Sequence, residues 1–161
     1  MLHIGTALNR SKLEHLSTAL LDLHKALIDY VRTSYEREKG SIGGPFELLR
    51  LLTGDPYFDW LRPLSRLLAD IDELLEKSDP TSEAEAGAVK AEVRSLLEAD
   101  ADMPTTFTQK YLVALQDEPS VVLAHAKTTK LLAALPTCRP CSPTISEILT
   151  VERKKRRNKG N

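Results

Sequence analysis

The sequence predicts an all-α fold, an antiparallel bundle of five or six helices followed by a flexible basic C-terminal tail. Three observations support this prediction. Leucines recur at spacings of three and four residues along most of the chain, and capping signals precede several of these apolar runs. No run alternates apolar and polar residues as a half-buried strand would. The predicted connections are short, which favours antiparallel neighbours.

The composition of the 161 residues is that of an ordinary globular protein. Hydrophobic residues make up 42% and charged residues 28%, whereas aromatic residues reach only 5%, so leucine must fill most of the core. No segment reaches the roughly 18 apolar residues that span a bilayer. The first residues lack the basic and apolar regions of a secretory signal. We therefore expect a cytoplasmic protein.

The first predicted helix covers residues 11–38. Ser11 and Glu14 have the spacing of a capping box, and a broad leucine stripe follows them. A glycine-rich stretch then interrupts the pattern, since glycine favours turns and helix ends. A short apolar helix is predicted next, over residues 46–53.

Asp55 and Pro56 are typical of a helix start, an N-cap followed by proline at the first helical position. A leucine-rich run follows, yet it contains Pro63. Proline in a helix interior costs about 3 kcal/mol. Two alternatives stay open: residues 56–61 form a separate turn, or the helix is kinked just before Pro63.

Three further helices are predicted before residue 135. Ser82 and Glu85 form a second capping box, and Thr106 with Gln109 is a similar signal. The predicted ranges are 82–99, 106–117 and 119–135.

The character of the chain changes after residue 135. We therefore predict a helical domain over 1–135 and a proline-containing linker with a largely disordered basic tail over 136–161. The tail holds seven Lys/Arg against two Asp/Glu, whereas the rest of the chain is acidic. Thr144 and Glu147 are spaced to cap one short helix within it.

The basic run near the C-terminus is a candidate nucleic-acid-binding segment. Its cations would bind phosphate in a salt-dependent way, on nucleic acid or on an anionic surface. The alternatives are a solubilising tail, or an arm that lies on the acidic residues between 70 and 79 of the same chain. The cations are Arg153, Lys154, Lys155, Arg156, Arg157 and Lys159.

The residues around Trp60 are the leading candidate for a binding site. Asp59 and Arg62 are three positions apart, so on a helix they are neighbours and can pair. Together with Tyr57 and Trp60 they would rim a small polar pocket for an anionic ligand or a partner. The interpretation we favour is structural: Trp60 anchors the core, and the charged residues form a solvated ion pair.

A second candidate is His24, on the apolar face of the first helix. A histidine there can act as a base or a metal ligand, but more often it makes one hydrogen bond to a neighbouring helix. An enzymatic or ligand-binding alternative places His24, Tyr35, Glu36 and Arg62 around an internal pocket.

Known catalytic and cofactor motifs are missing. We find no phosphate-binding or dinucleotide-binding glycine loop, no zinc-protease helix and no nucleophile elbow. Cys138 and Cys141 form a lone C-x-x-C, two ligands short of a structural zinc site, and they fit a reducing compartment. We expect no cofactor and no metal, and we favour a protein without enzymatic activity.

One stretch resembles small bacterial helical proteins without an assigned function. The resemblance extends over roughly residues 20–130 and includes "VVLAH" at 121–125; it implies a cytosolic helical protein and carries no activity. The pattern is Tyr35-Glu36, Gly40, the Leu48–Leu52 run, Asp55-Pro56, Phe58, Trp60-Leu61-Arg62 and Leu64-Ser65.

These observations favour a non-catalytic interaction or regulatory protein that binds a protein partner or a second copy of itself. The alternatives are nucleic-acid association through the basic tail, and a ligand-binding or enzymatic bundle with an internal pocket near His24 and Arg62.

Overall fold

The structure, a computed structural model, describes residues 2–77, 79–98, 104–137 and 143–159. These residues form seven α-helices and one 3₁₀ turn, and no strand occurs among them. The prediction of an all-α fold is confirmed, but five or six helices was too few because the segment after residue 135 adds one. The elements are α1 (Leu2–Lys39), α2 (Pro45–Gly54), the 3₁₀ turn (Asp59–Leu61), α3 (Arg62–Leu75), α4 (Glu83–Leu97), α5 (Thr106–Asp117), α6 (Pro119–Ala133) and α7 (Ile145–Lys159).

The core is organised around one face of α1. This helix packs most extensively against α6 and also contacts α3, α4 and the 3₁₀ turn. The leucine stripe predicted from the spacing is fully buried, because neighbouring elements cover α1 on several sides. Its members are Leu13, Leu16, Leu20, Leu23 and Leu27, each with 0% of its surface exposed.

The predicted start of the first helix was wrong. Helix α1 begins at Leu2, so Ser11 lies inside it and does not cap it. Glu14 pairs with the Arg10 guanidinium, at 3.2 Å. No proline lies between Leu2 and Ser11, so the backbone continues as a helix through a spacing that would cap one elsewhere.

Of the two alternatives for the region before Pro63, the structure has the separate turn. The Asp55 carboxylate accepts a hydrogen bond from the Tyr57 N–H at 2.8 Å, so Asp55 caps a turn and not the long helix. The 3₁₀ turn follows, and α3 begins at Arg62 with Pro63 in its first turn. The missing N–H of proline costs no hydrogen bond at this position, because N–H groups in the first turn have no partner within the helix.

Two later caps test the same kind of motif. The capping box of Ser82 and Glu85 is confirmed, with the two reciprocal hydrogen bonds at 2.8 and 3.1 Å. Helix α5, however, is capped by Thr105 and not by the predicted Thr106. The Thr105 hydroxyl accepts the Thr108 N–H at 3.1 Å.

The segment predicted as a disordered tail contains helix α7. The Thr144–Glu147 cap is present, with the Glu147 N–H bound to the Thr144 hydroxyl at 3.2 Å. Ile145 and Leu149 are buried against α3 and α4. The apolar surface that they remove from water stabilises the helix, although most of its other residues are charged or polar. Cys138 and Cys141 lie outside the described residues.

We expect Leu20→Ala to lower the free energy of unfolding by about 3 kcal/mol, because it empties a fully buried site on α1. The matched control is its neighbour Leu21, 48% exposed, for which the same change should cost less than about 0.5 kcal/mol. Urea unfolding followed by circular dichroism measures both. Equal losses would contradict the central position of the stripe.

Candidate functional site

Trp60 lies in the interior, with 6% of its surface exposed. Its ring contacts Phe107 of α5 at a centroid distance of 5.7 Å, and Phe107 stacks on Tyr111 at 5.4 Å. The chain of rings ends at His125 of α6. Trp60 therefore ties the 3₁₀ turn to α5 and α6, and the prediction that it anchors the core is consistent with this packing.

Tyr111 and His125 form a partly buried polar pair at the end of this chain of rings. The Tyr111 side chain is fully buried, and its hydroxyl lies 2.7 Å from His125 Nδ1. Burial lowers the pKa of His125 and raises the pKa of Tyr111. A neutral phenol and a neutral imidazole therefore share one hydrogen bond between α5 and α6. The two residues lie on different helices, so no local sequence pattern pointed to them.

A second set of rings closes the C-terminal end of α1. Tyr35 meets Tyr57 edge to face at 5.3 Å and lies 5.6 Å from Phe58. Glu36, its neighbour, accepts the backbone N–H of Ile42 at 3.1 Å and so holds the loop after α1. Gly40 in that loop has φ of 101°, a conformation that favours glycine.

A groove of about 340 Å³ lies between α1 and α5, beside Trp60. Its floor consists of Val31 and Trp60, which are both buried. We call it the Trp60 groove and define it by its lining. The lining residues are Tyr30, Val31, Ser34 and Glu38 of α1, Tyr57 and Trp60 at the turn, and Gln109, Lys110 and Val113 of α5.

The phenols of the Trp60 groove are held neutral. The Tyr30 hydroxyl donates to the Asp117 carboxylate at 3.1 Å, which links α1 to the end of α5. Burial first, and then Asp117, raises the pKa of Tyr30. Burial first, and then the neighbouring Glu38 carboxylate, raises the pKa of Tyr57. The formal charges on the groove wall are therefore those of Glu38 and Lys110.

The predicted pair of Asp59 and Arg62 is present but lies elsewhere. An Asp59 carboxylate oxygen is 2.7 Å from an Arg62 nitrogen, an ion pair whose angles miss those of a hydrogen bond. Arg62 also donates to the Thr53 backbone oxygen at 3.3 Å. Both side chains are nearly half exposed, and Asp59 lines a separate hollow that shares Trp60 with the groove.

His24 joins α1 to α3. Its Nε2 lies 2.9 Å from the Ser65 hydroxyl, and burial lowers its pKa. A serine beside a neutral histidine has the elements of an activated nucleophile. The Ser65 hydroxyl, however, also lies within hydrogen-bonding distance of the Leu61 backbone oxygen, at 3.3 Å, as is common for a serine inside a helix. His24 therefore makes the interhelical hydrogen bond that the structural interpretation predicts.

The residues of the predicted internal pocket have separate partners. His24 bonds Ser65, Tyr35 packs on rings, Glu36 holds a loop and Arg62 pairs with Asp59. The structure instead brings Tyr57 and Trp60 together with Glu38 and Lys110. Sequence reasoning missed these two charged residues, because they belong to helices far apart in the chain.

The cations of α7 divide into paired and unpaired sets. Arg153 binds the Glu73 carboxylate through two hydrogen bonds, at 2.9 and 2.5 Å, which helps to lower the pKa of Glu73. Lys155 pairs with Glu152 at 3.1 Å. Arg156 is exposed and makes no ion pair among the described residues, but its charge helps to lower the pKa values of Glu73 and Glu152. Lys154, Arg157 and Lys159 are exposed and have no ion pair in the described part of the chain.

Comparisons with protein-family models, with curated proteins and with solved structures found no match. In residues 2–77, 79–98, 104–137 and 143–159, no group of three or more His, Cys, Asp or Glu side chains is arranged to hold a metal ion. Among the helices of those same residues, none has the length and apolar character needed to cross a membrane.

We expect the stability of the protein to fall as pH drops from about 7.5 to about 5.5, in part through His125. Burial lowers its folded pKa below the ordinary value of 6.5, so the unfolded chain takes up the proton first. This contribution is complete above about pH 6.5 and is lost as pH falls towards the lowered folded pKa.

His125→Gln removes that proton and should make the loss of stability over this range smaller. Urea unfolding at a series of pH values measures the slope. The control is Leu123→Gln at an exposed position of the same helix, which changes no titratable group and should keep the slope of the parent protein. An unchanged slope in the His125 variant would show that the imidazole does not contribute in this way.

Proposed function

We propose that the protein is a non-catalytic helical interaction or regulatory protein of the cytoplasm, with its helices arranged as an antiparallel bundle. One observation supports it most directly, the apolar outer face of α2. Phe46 is 84% exposed, more than any other large hydrophobic side chain in the described residues, and Leu49 is 57% exposed. They are three residues apart and so share one side of the helix.

The opposite side of α2 attaches it to the protein. Leu51 is buried, and Leu48 and Leu52 pack partly against the core. The helix therefore does not need Phe46 and Leu49 for its own packing. An exposed aromatic beside an exposed leucine on a rigid helix is the kind of anchor that a protein partner buries.

We expect Phe46→Ser combined with Leu49→Ser to abolish capture of a partner while leaving the folded helix content unchanged. A matched control is Val122→Ser combined with Leu123→Ser, two exposed apolar residues on α6. Affinity purification of the tagged full-length chain, followed by mass spectrometry and circular dichroism, compares them. Partners that the α2 variant retains would count against this surface.

The second candidate function is association with nucleic acid through α7, and the three unpaired cations favour it. Lys154, Arg157 and Lys159 project from the exposed end of a helix that two buried residues hold in place. Fixed cations can each neutralise a backbone phosphate and release a counterion. Deleting the segment would be a poor test, because it would uncover the core that Ile145 and Leu149 close.

Under this second candidate, changing Lys154, Arg157 and Lys159 to glutamine should weaken binding to a short DNA duplex. It should also reduce the slope of log affinity against log salt by roughly one per contact removed. Fluorescence anisotropy at several salt concentrations measures both. The control changes three exposed lysines outside α7, Lys25, Lys39 and Lys130. Equal losses in both variants would rule out a site on α7.

A further inference from the structure

We propose that the Trp60 groove binds a small apolar zwitterion of the α-amino-acid class. No residue of α2 lines this groove, so a test of ligand binding here does not depend on the proposed protein partner. The volume of about 340 Å³ is at the small end of the range for ligand pockets, roughly 300–1,000 Å³. A volume of this size suits a compact molecule and not an extended one.

The charges on the two walls carry the proposal. Glu38 lines the α1 wall, and Lys110 lines the α5 wall. Neither side chain has an ion pair within the described residues, although both line the same groove. Glu38 accepts a hydrogen bond from the Tyr57 phenol, which leaves its negative charge without a cationic partner. An ammonium group beside Glu38 and a carboxylate beside Lys110 would complement both charges.

The floor of the groove supplies the apolar contact. Val31 and the Trp60 ring are buried beneath the opening, and the Tyr57 ring stands at its side. Ring faces of this kind attract an ammonium group as well as an apolar side chain. The Trp60 indole N–H makes no hydrogen bond to the described part of the chain.

A ligand with a single charge fits this arrangement less well. Glu38 and Lys110 are both exposed, so each stays hydrated when a ligand lacks the matching charge. An amine alone would lack the charge-assisted contact with Lys110, and a carboxylate alone would lack the contact with Glu38. A zwitterion makes both contacts, which gives it its advantage over either single-charge ligand.

Trp60 makes the test direct, because it is the single tryptophan of the chain. Its fluorescence is excited where phenylalanine does not absorb, and L-phenylalanine is titrated into the full-length protein. We expect a saturable change in intensity or wavelength. Phenethylamine, which lacks the carboxylate, and 3-phenylpropionate, which lacks the amine, should each bind about tenfold more weakly.

Two variants assign the charges. Glu38→Gln should remove the preference for L-phenylalanine over 3-phenylpropionate, whereas Lys110→Gln should remove its preference over phenethylamine. Arg50→Gln on α2 is the control and should keep both preferences. Calorimetric titration repeats each measurement, so that binding without a fluorescence change is still detected.

Several results would overturn the proposal. L-phenylalanine that produces neither a saturable fluorescence change nor heat would show that the groove is not such a site. Equal binding of the two single-charge analogues would remove the zwitterion. Equal binding of the uncharged N-acetyl-phenylalanine amide would assign the groove to a peptide segment and not to a free amino acid.

Discussion

Burial of the leucine stripe on α1 is the constraint on which the other packing depends. Five leucines without exposed surface require neighbours on several flanks of one helix, and α3, α4 and α6 supply them. Helix α5 instead packs on α6, α4 and the 3₁₀ turn, and it meets α1 through the hydrogen bond between Tyr30 and Asp117. The gap that remains between α1 and α5 is the Trp60 groove. The site is thus a consequence of how the core is closed.

A second constraint is a polar junction where four helices meet. Lys77, 9% exposed, binds Glu85 at 2.5 Å and lies 3.8 Å from Glu152, so it connects α4 to α7. The Arg10 guanidinium of α1 donates to the backbone oxygens of Leu75 and Lys77, which satisfies carbonyls at the end of α3. A buried charge is destabilising once it loses its partners. Because Glu152 of α7 is one of the carboxylates near the Lys77 ammonium, the packing of α7 against the protein helps to stabilise Lys77.

Much of the fold could be predicted from the sequence, because helical periodicity is repeated over many residues. Boundaries could not, because a cap depends on what precedes it. The same Ser-x-x-Glu spacing caps α4 after Pro80 but lies inside α1, where no proline interrupts the chain. In the tail, the spacing of Thr144 and Glu147 predicted a short helix, but composition could not show that Ile145 and Leu149 are buried against α3 and α4. For the site, local patterns identified Trp60 and Tyr57, but Glu38 and Lys110 come to line one groove only through tertiary packing.

The residues that are conspicuous in the sequence are mostly satisfied within the protein. Asp59 pairs with Arg62, Glu36 holds the loop at Ile42, and Arg153 binds Glu73. Such groups gain little from a ligand, since binding would first have to break an existing contact. Groups without an internal partner pay no such cost. In the described residues they include Lys110 at the Trp60 groove, Phe46 and Leu49 on the outer face of α2, and Lys154, Arg157 and Lys159 at the exposed end of α7. Side chains that have no partner within the protein are therefore the first places to look for a binding function.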